Sequence, residues 1–132
     1  MTMTEGGFHV SSRKALSDTA VTILDIKGDL ADQTADEMAQ ALRRLLAAGR
    51  RKIVLNLGGT DLVSTRGIAE CVAAQKRLRE RGGELKIAGA STELKRLFEL
   101  VALEKVIECH PEVRNAVESF LGRAPGAPRK KR

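Results

Sequence analysis

Apolar and polar residues alternate along Ala20-Val-Thr-Ile-Leu-Asp-Ile-Lys27, which is rich in β-branched side chains and stops at Gly28, the pattern of a strand with one face buried. Upstream, Phe8 to Arg13 reads as an edge strand paired with it across a polar turn at Ser17 and Asp18. The period then changes. Thr34-Ala-Asp-Glu37 has the spacing of a capping box, and Met38, Ala41, Leu42, Leu45 and Leu46 recur at helical intervals up to Gly49. Lys52-Ile-Val-Leu-Asn-Leu57 is almost continuously apolar, as expected of a central strand covered on both faces. After a loop over Gly58 to Ser64, helical spacing returns at Ile68, Cys71, Val72, Gln75 and Leu78 and ends at Arg81-Gly82-Gly83. Lys76, Arg77, Arg79 and Glu80 fall on the exposed face of that helix. Leu85-Lys-Ile-Ala88 reads as another central strand, and Ser91 as the cap of a short helix with Leu94, Leu97, Phe98 and Val101 on one side. Val106 to Cys109 is a last short strand, and Pro111 suits the first turn of a closing helix built on Val113, Ala116, Val117 and Phe120.

Strands alternating with helices from residue 20 onward imply an α/β fold with a mixed, mainly parallel sheet, about four helices and helices favouring one face. The 132 residues fit one domain over 8–121, followed by a disordered basic tail over 122–132. Arg123, Arg129, Lys130, Lys131 and Arg132 supply five of the net +6 charges, so the basicity belongs to the tail and not to a patch on the fold. With three Phe and no Tyr or Trp, stacking platforms for nucleic acid are missing, and direct nucleic-acid binding is not expected. Cys71 and Cys109 lie far apart in apolar-patterned stretches, as buried thiols of a reducing compartment would. No apolar run approaches the ~18 residues of a membrane span, and Met1 to Gly7 lacks the regions of a signal peptide, so the expected setting is cytoplasmic, without membrane insertion.

Candidate chemistry is sparse. His9 and His110 lie at opposite ends with no Cys, Asp and Glu at ligand spacing, which argues against a metal site. Gly58-Gly-Thr-Asp61 lacks the Lys-Ser/Thr ending of a phosphate-binding loop, and no catalytic constellation stands out. The expectation is a binding module without cofactor or enzymatic activity.

Three segments carry a resemblance. They are the strand ending in Gly28-Asp-Leu30, the run Ile53-Val-Leu-Asn-Leu-Gly-Gly-Thr-Asp-Leu-Val-Ser-Thr-Arg-Gly-Ile68, and Arg81-Gly-Gly-Glu-Leu-Lys-Ile-Ala-Gly-Ala90 leading into Leu94-Lys-Arg-Leu-Phe-Glu-Leu-Val-Ala-Leu103. In order and content they resemble the STAS domain family, of the anti-sigma factor antagonist type, over nearly all of residues 8–121. The resemblance implies a STAS fold and a transcription regulator that binds an anti-sigma factor of the histidine-kinase-like ATPase type. It makes Thr65 the phosphoacceptor and places partner binding on Asp29, Asp61, Ser64, Thr65, Arg66 and Gly67. Where the family has Asp before the acceptor this chain has Ser64; Arg66 replaces the following Ser, Ala31 the turn Asp, and Asn56 the Asp ending the strand. A Ser or Thr at 64 or 65 would also cap the helix, worth about 1 kcal/mol. Gly67 and Gly58-Gly59 are read first as loop geometry. Two other uses of the family imply different partners: an adaptor subunit of a lipid-transport ABC permease complex, or a stress-signalling scaffold. Oligomeric state is not legible.

Overall fold

The strands Val21–Lys27, Lys52–Gly59 and Glu84–Ala88 carry buried residues on both faces, whereas the edge strand His9–Lys14 is mostly exposed. The computed structural model describes residues 7–121. These form β1 (His9–Lys14), β2 (Val21–Lys27), α1 (Asp32–Ala47), β3 (Lys52–Gly59), α2 (Thr65–Glu80), β4 (Glu84–Ala88), α3 (Thr92–Leu100), a 3-10 turn (Leu103–Lys105), β5 (Glu108–His110) and α4 (Val113–Leu121). The sheet order is β1-β2-β3-β4-β5, with β1 antiparallel to β2 and every later pair parallel. The mixed, mainly parallel sheet expected from the alternation of elements is therefore present.

The larger core gathers Leu24, Ile26, Leu55, Leu57, Leu85 and Ile87 from one face of the sheet under α1, α2 and α3. A smaller core on the opposite face joins Ala15, Val21, Ile23, Val54 and Ala88 to Ala116 and Val117 of α4. Among the described residues, three helices thus share one face and α4 alone covers the other. That second cover corrects the reading of β2 as buried on one face only: Val21, Thr22, Ile23 and Leu24 are all buried. The Thr22 hydroxyl is kept satisfied by Arg50 Nε at 2.6 Å.

Other boundaries moved for identifiable reasons. Thr34 is not the cap of α1 but sits inside its first turn; the Ala31 N–H donates to the Thr34 hydroxyl (2.8 Å), which in turn donates to the Asp29 carbonyl (2.7 Å). Gly58 and Gly59 extend β3 instead of starting a loop. β5 begins at Glu108 because the Val106 and Ile107 N–H groups both bond to the Leu103 carbonyl at 2.9 Å, holding them back against the 3-10 turn. Pro111 precedes α4 by two residues, Val101 is exposed, and Cys109 is only half-buried. The basic tail lies outside the described residues.

Two buried polar side chains secure the sheet where strand pairing gives out. Gln75, on α2 and 1% exposed, donates to the Leu85 carbonyl (3.1 Å) and the Val106 carbonyl (3.0 Å) and accepts from the Leu85 N–H (2.8 Å). Its amide substitutes for the ladder that β4 would have with a longer β5. Lys86, also 1% exposed, reaches the Ser119 hydroxyl (2.6 Å) and Glu108 (3.2 Å) and lies 4.2 Å from the Phe120 ring centre, tying β4, β5 and α4 together. At the open end of the α4 face, Asp25 accepts from Arg13 Nε (2.6 Å) and Asn56 Nδ2 (2.7 Å). Partial burial pushes the Asp25 carboxyl up, and the Arg13 and Asn56 hydrogen bonds together with nearby cations outweigh it, leaving the carboxyl below its ordinary value.

Two outcomes follow from these contacts. Gln75→Leu should lower unfolding free energy by about 2–3 kcal/mol in urea titration, because it strips three hydrogen bonds from buried backbone. For Asp25, a lowered folded pKa means its stabilisation is present above the unfolded value of about 3.9 and is lost as pH falls through the folded one. The stability gap between wild type and Asp25→Asn, up to about 1 kcal/mol at neutral pH, should therefore close in denaturation curves between about pH 5 and pH 2.

Candidate functional site

The carboxyl ends of β2 and β3 run on into two loops that remain stitched together beyond the sheet. The Leu30 N–H bonds to the Leu62 carbonyl (2.8 Å) and the Ser64 N–H to the Leu30 carbonyl (2.7 Å), a parallel bridge that pairs Leu30 with Val63. Gly28 makes the turn into this arrangement. Its φ is +103°, its N–H bonds to the Gly59 carbonyl at 2.9 Å, and a Cβ there would come within 3.1 Å of Phe8. Leu30 and Val63 are buried, while Asp29 and Asp61 on either side are exposed.

The bridge fixes where α2 starts. Ser64 is its N-cap in extended conformation, and its Oγ accepts the Gly67 N–H at 3.1 Å. Thr65 is the first helical residue and is exposed, and no hydrogen bond among the described residues engages its hydroxyl. Of the two hydroxyls at this helix start, Ser64 does the capping and Thr65 faces outward. Gly67 is buried against Leu30 and Val63: a Cβ at that position would stand 2.9 Å from Val63 Cγ1 and 3.3 Å from Leu30 Cβ. Its missing side chain serves the approach of the helix to its own loops.

Arg66 projects from the same turn. One guanidinium nitrogen pairs with Asp36 of α1 and Nε bonds to Glu70 Oε2 at 3.1 Å, one turn along α2. The Glu70 hydrogen bond first, and the Asp36 charge next, push the guanidinium pKa still higher. The side chain is 44% exposed, so this pair joins the two helices at the surface without a buried charge.

Of the residues expected at the site, the structure brings Asp29, Asp61, Ser64, Thr65 and Arg66 to one loop-and-helix end and buries Gly67 beneath them. Ala31 is exposed in the first loop. Asn56 faces the α4 side of the sheet, bonded to Asp25 and, through Oδ1, to the Gly58 N–H at 3.0 Å, so it belongs to a different polar cluster. Asp36 and Glu70 were not anticipated. The signal that could have found them is Arg66 four residues before Glu70, an i,i+4 pair. Away from this end, burial pushes the free thiols of Cys71 and Cys109 up to about 12 and about 11, which leaves neither ready as a nucleophile. Among the described residues, no group of His, Cys, Asp and Glu could hold a metal ion, and no helix is long and apolar enough to cross a membrane.

Comparison with known proteins places this geometry in context. The family model for the STAS domain matches residues 13–116. An anti-sigma-B factor antagonist of Staphylococcus aureus is 29% identical over 82 residues, 62% of this chain and 76% of that protein. Among solved structures, an anti-sigma factor antagonist from Mycobacterium paratuberculosis superposes with a TM-score of 0.77 at 16% identity, over 89% of this chain and 97% of the other. The Bacillus cell fate determinant SpoIIAA in its phosphorylated form gives a TM-score of 0.63 at 11% identity, over 86% and 98% of the respective chains. At these identities the solved structures speak to the shared fold.

Gly67→Ala should cost about 1–3 kcal/mol by overpacking against Val63 and Leu30, read as a lowered thermal midpoint.

Proposed function

The chain belongs to the STAS domain family, and on that premise we propose that it is a cytoplasmic anti-sigma factor antagonist, a regulator of transcription that acts by binding and not by catalysis. Its partner is an anti-sigma factor of the histidine-kinase-like ATPase type. Docking uses the exposed end formed by Asp29, Asp61, Ser64, Thr65 and Arg66, with Gly67 beneath it supplying the close packing.

The observation that carries the regulatory part is the division of labour between adjacent hydroxyls. Because Ser64 caps α2, the Thr65 hydroxyl stands exposed at the positive end of a 16-residue helix with no bond of its own to break. A phosphate on it would add about −1.5 to −2 charges at the centre of the docking surface. It would also compete with Asp36 and Glu70 for Arg66, so one modification changes both the charge of the surface and the pair that links α1 to α2. The Asp that the family places before the acceptor is thus absent here, and a cation stands on its other side.

Tagged wild type, Thr65→Ala and Thr65→Glu recovered from the protein's own cells provide the test, with co-purifying proteins identified by mass spectrometry and their affinities then measured with purified components. Wild type and Thr65→Ala should retain an ATPase of the anti-sigma type, and Thr65→Glu should bind it at least tenfold more weakly, about 1.4 kcal/mol. Recovery of permease subunits, indifferent to residue 65, would overturn this reading in favour of an adaptor of a lipid-transport complex.

A further inference from the structure

The expectation that the fold carries no basic patch is corrected by how its charges are placed. The five tail cations leave a net +1 for residues 1–121, and that near balance conceals two poles. In α1 the acids Asp32, Asp36 and Glu37 come first, and Arg43 and Arg44 come last. In α2, Lys76, Arg77 and Arg79 lie in the last turns with Glu80, and Arg81 is the C-cap. Because β2, β3 and β4 are parallel, both helices start at the end that carries Thr65 and finish at the opposite one. Their cations collect there.

The loops of that far pole are tied together. Arg50 donates through Nη2 to the Thr19 carbonyl (2.7 Å) and through Nε to the Thr22 hydroxyl, joining the α1–β3 loop to the β1–β2 turn. The Glu84 N–H bonds to the Arg51 carbonyl (2.8 Å), which brings in the α2–β4 loop. α4 starts beyond β5 and has come back down the sheet by the level of Ser119 against Lys86, so residues 122–132 continue from its far end. Arg51 is held by the Leu46 carbonyl at 3.1 Å. Lys14, Arg43, Arg44, Lys76, Arg77 and Arg81, by contrast, are exposed and without an ion pair among the described residues. Acids at this end are fewer: Asp18 accepts the Ala20 N–H (3.0 Å), Glu84 pairs with Arg79 at 3.9 Å, and Glu80 precedes Arg81. At the tip of the β1–β2 turn, Leu16 stands fully exposed next to the buried Ala15.

We propose that this pole docks peripherally on a bilayer surface rich in anionic lipid. The exposed cations meet headgroup phosphates, Leu16 enters the interfacial layer, and the tail adds further positive charge. Leu16 decides against a nucleic acid, because a phosphodiester backbone gives an apolar tip nothing to bury in. The three Phe are buried or half-buried, so no ring is offered to a base. Arg43 and Arg77 flank a crevice of about 10 Å³, room for a water and not for a peptide side chain, as suits contact with a plane. The pole lies opposite the start of α2, so the inference goes beyond the antagonist reading and does not rest on it.

The chain has no Trp, so single tryptophans placed at the two poles report where it touches. The full-length protein is sedimented with phosphatidylcholine vesicles, with or without about 30% phosphatidylglycerol, in about 0.15 M salt. Wild type should sediment with the anionic vesicles and not with phosphatidylcholine alone. The emission of Leu16→Trp should shift to the blue on anionic vesicles, and that of Leu62→Trp, half-exposed at the Thr65 end, should not. Combined Arg43→Glu, Arg77→Glu and Arg81→Glu, all at exposed positions, should weaken binding at least about tenfold with the circular dichroism spectrum unchanged. Arg129→Gln, Lys130→Gln, Lys131→Gln and Arg132→Gln together should cost less than that triple change. Thr65→Glu should leave vesicle binding as it is. The proposal is overturned by no binding, by equal binding to both vesicles, by a silent Leu16→Trp or by a shifted Leu62→Trp. Binding lost with the tail change and kept by the triple variant overturns it in favour of the tail alone. Tighter capture of duplex DNA or of RNA, indifferent to Leu16→Ser, overturns it in favour of a nucleic acid.

Discussion

The exposed end of this domain depends on one close approach, that of α2 to the loops it grows from. With no side chain at Gly67, the helix can lie against Leu30 and Val63, and the Leu30–Val63 bridge then continues the β2–β3 pairing past the sheet. Everything presented outward at that end follows from it. Ser64 is placed to cap, Thr65 is turned to solvent, and Arg66 is brought within reach of Asp36 on the neighbouring helix. A helix pushed away from Val63 and Leu30 by a methyl group at that position would disturb all three placements together.

Much of the architecture was legible because it depends on local period and short punctuation. The apolar run of β3, the helical spacing of α2 and the Ser91 cap each reappear, with Ser91 Oγ accepting the Leu94 N–H at 3.2 Å. What escaped depends on partners distant in sequence. The second buried face of β2 comes from Ala116 and Val117, far along the chain. Gln75 fitted a helical pattern, but nothing local says that its amide will meet Val106, 31 residues away. Lys86 lay within a run read as a central strand, and its burial depends on Ser119 and Phe120 of a helix that returns across the sheet. At the site, the positions of Thr65 and Asp29 came from the resemblance of their segments to a family, while the engagement of Arg66 came from tertiary structure alone.

The departures from the family pattern acquire physical content in this setting. Ser in place of Asp at 64 still caps the helix, but without the negative charge that would favour the helix start electrostatically. Arg66 brings a cation to that same turn, held by two carboxylates. The net effect is a surface whose charge is rearranged, with its backbone geometry kept by Gly28, Leu30, Val63 and Gly67. Shape and charge are thus set by different residues, and one can change without the other.

The order of strands in the sheet is also their order in the chain. A polypeptide leaving the ribosome therefore never has to part a formed strand pair to admit a later one: β2 completes a hairpin with β1, and each strand after it arrives at an edge already in place. Loop-closure costs are met in short instalments, one crossing helix at a time. Only α4, which closes the second face over β2, β3 and β4, must wait until every strand of the sheet has been made. Translation and assembly can run in the same direction until that last step.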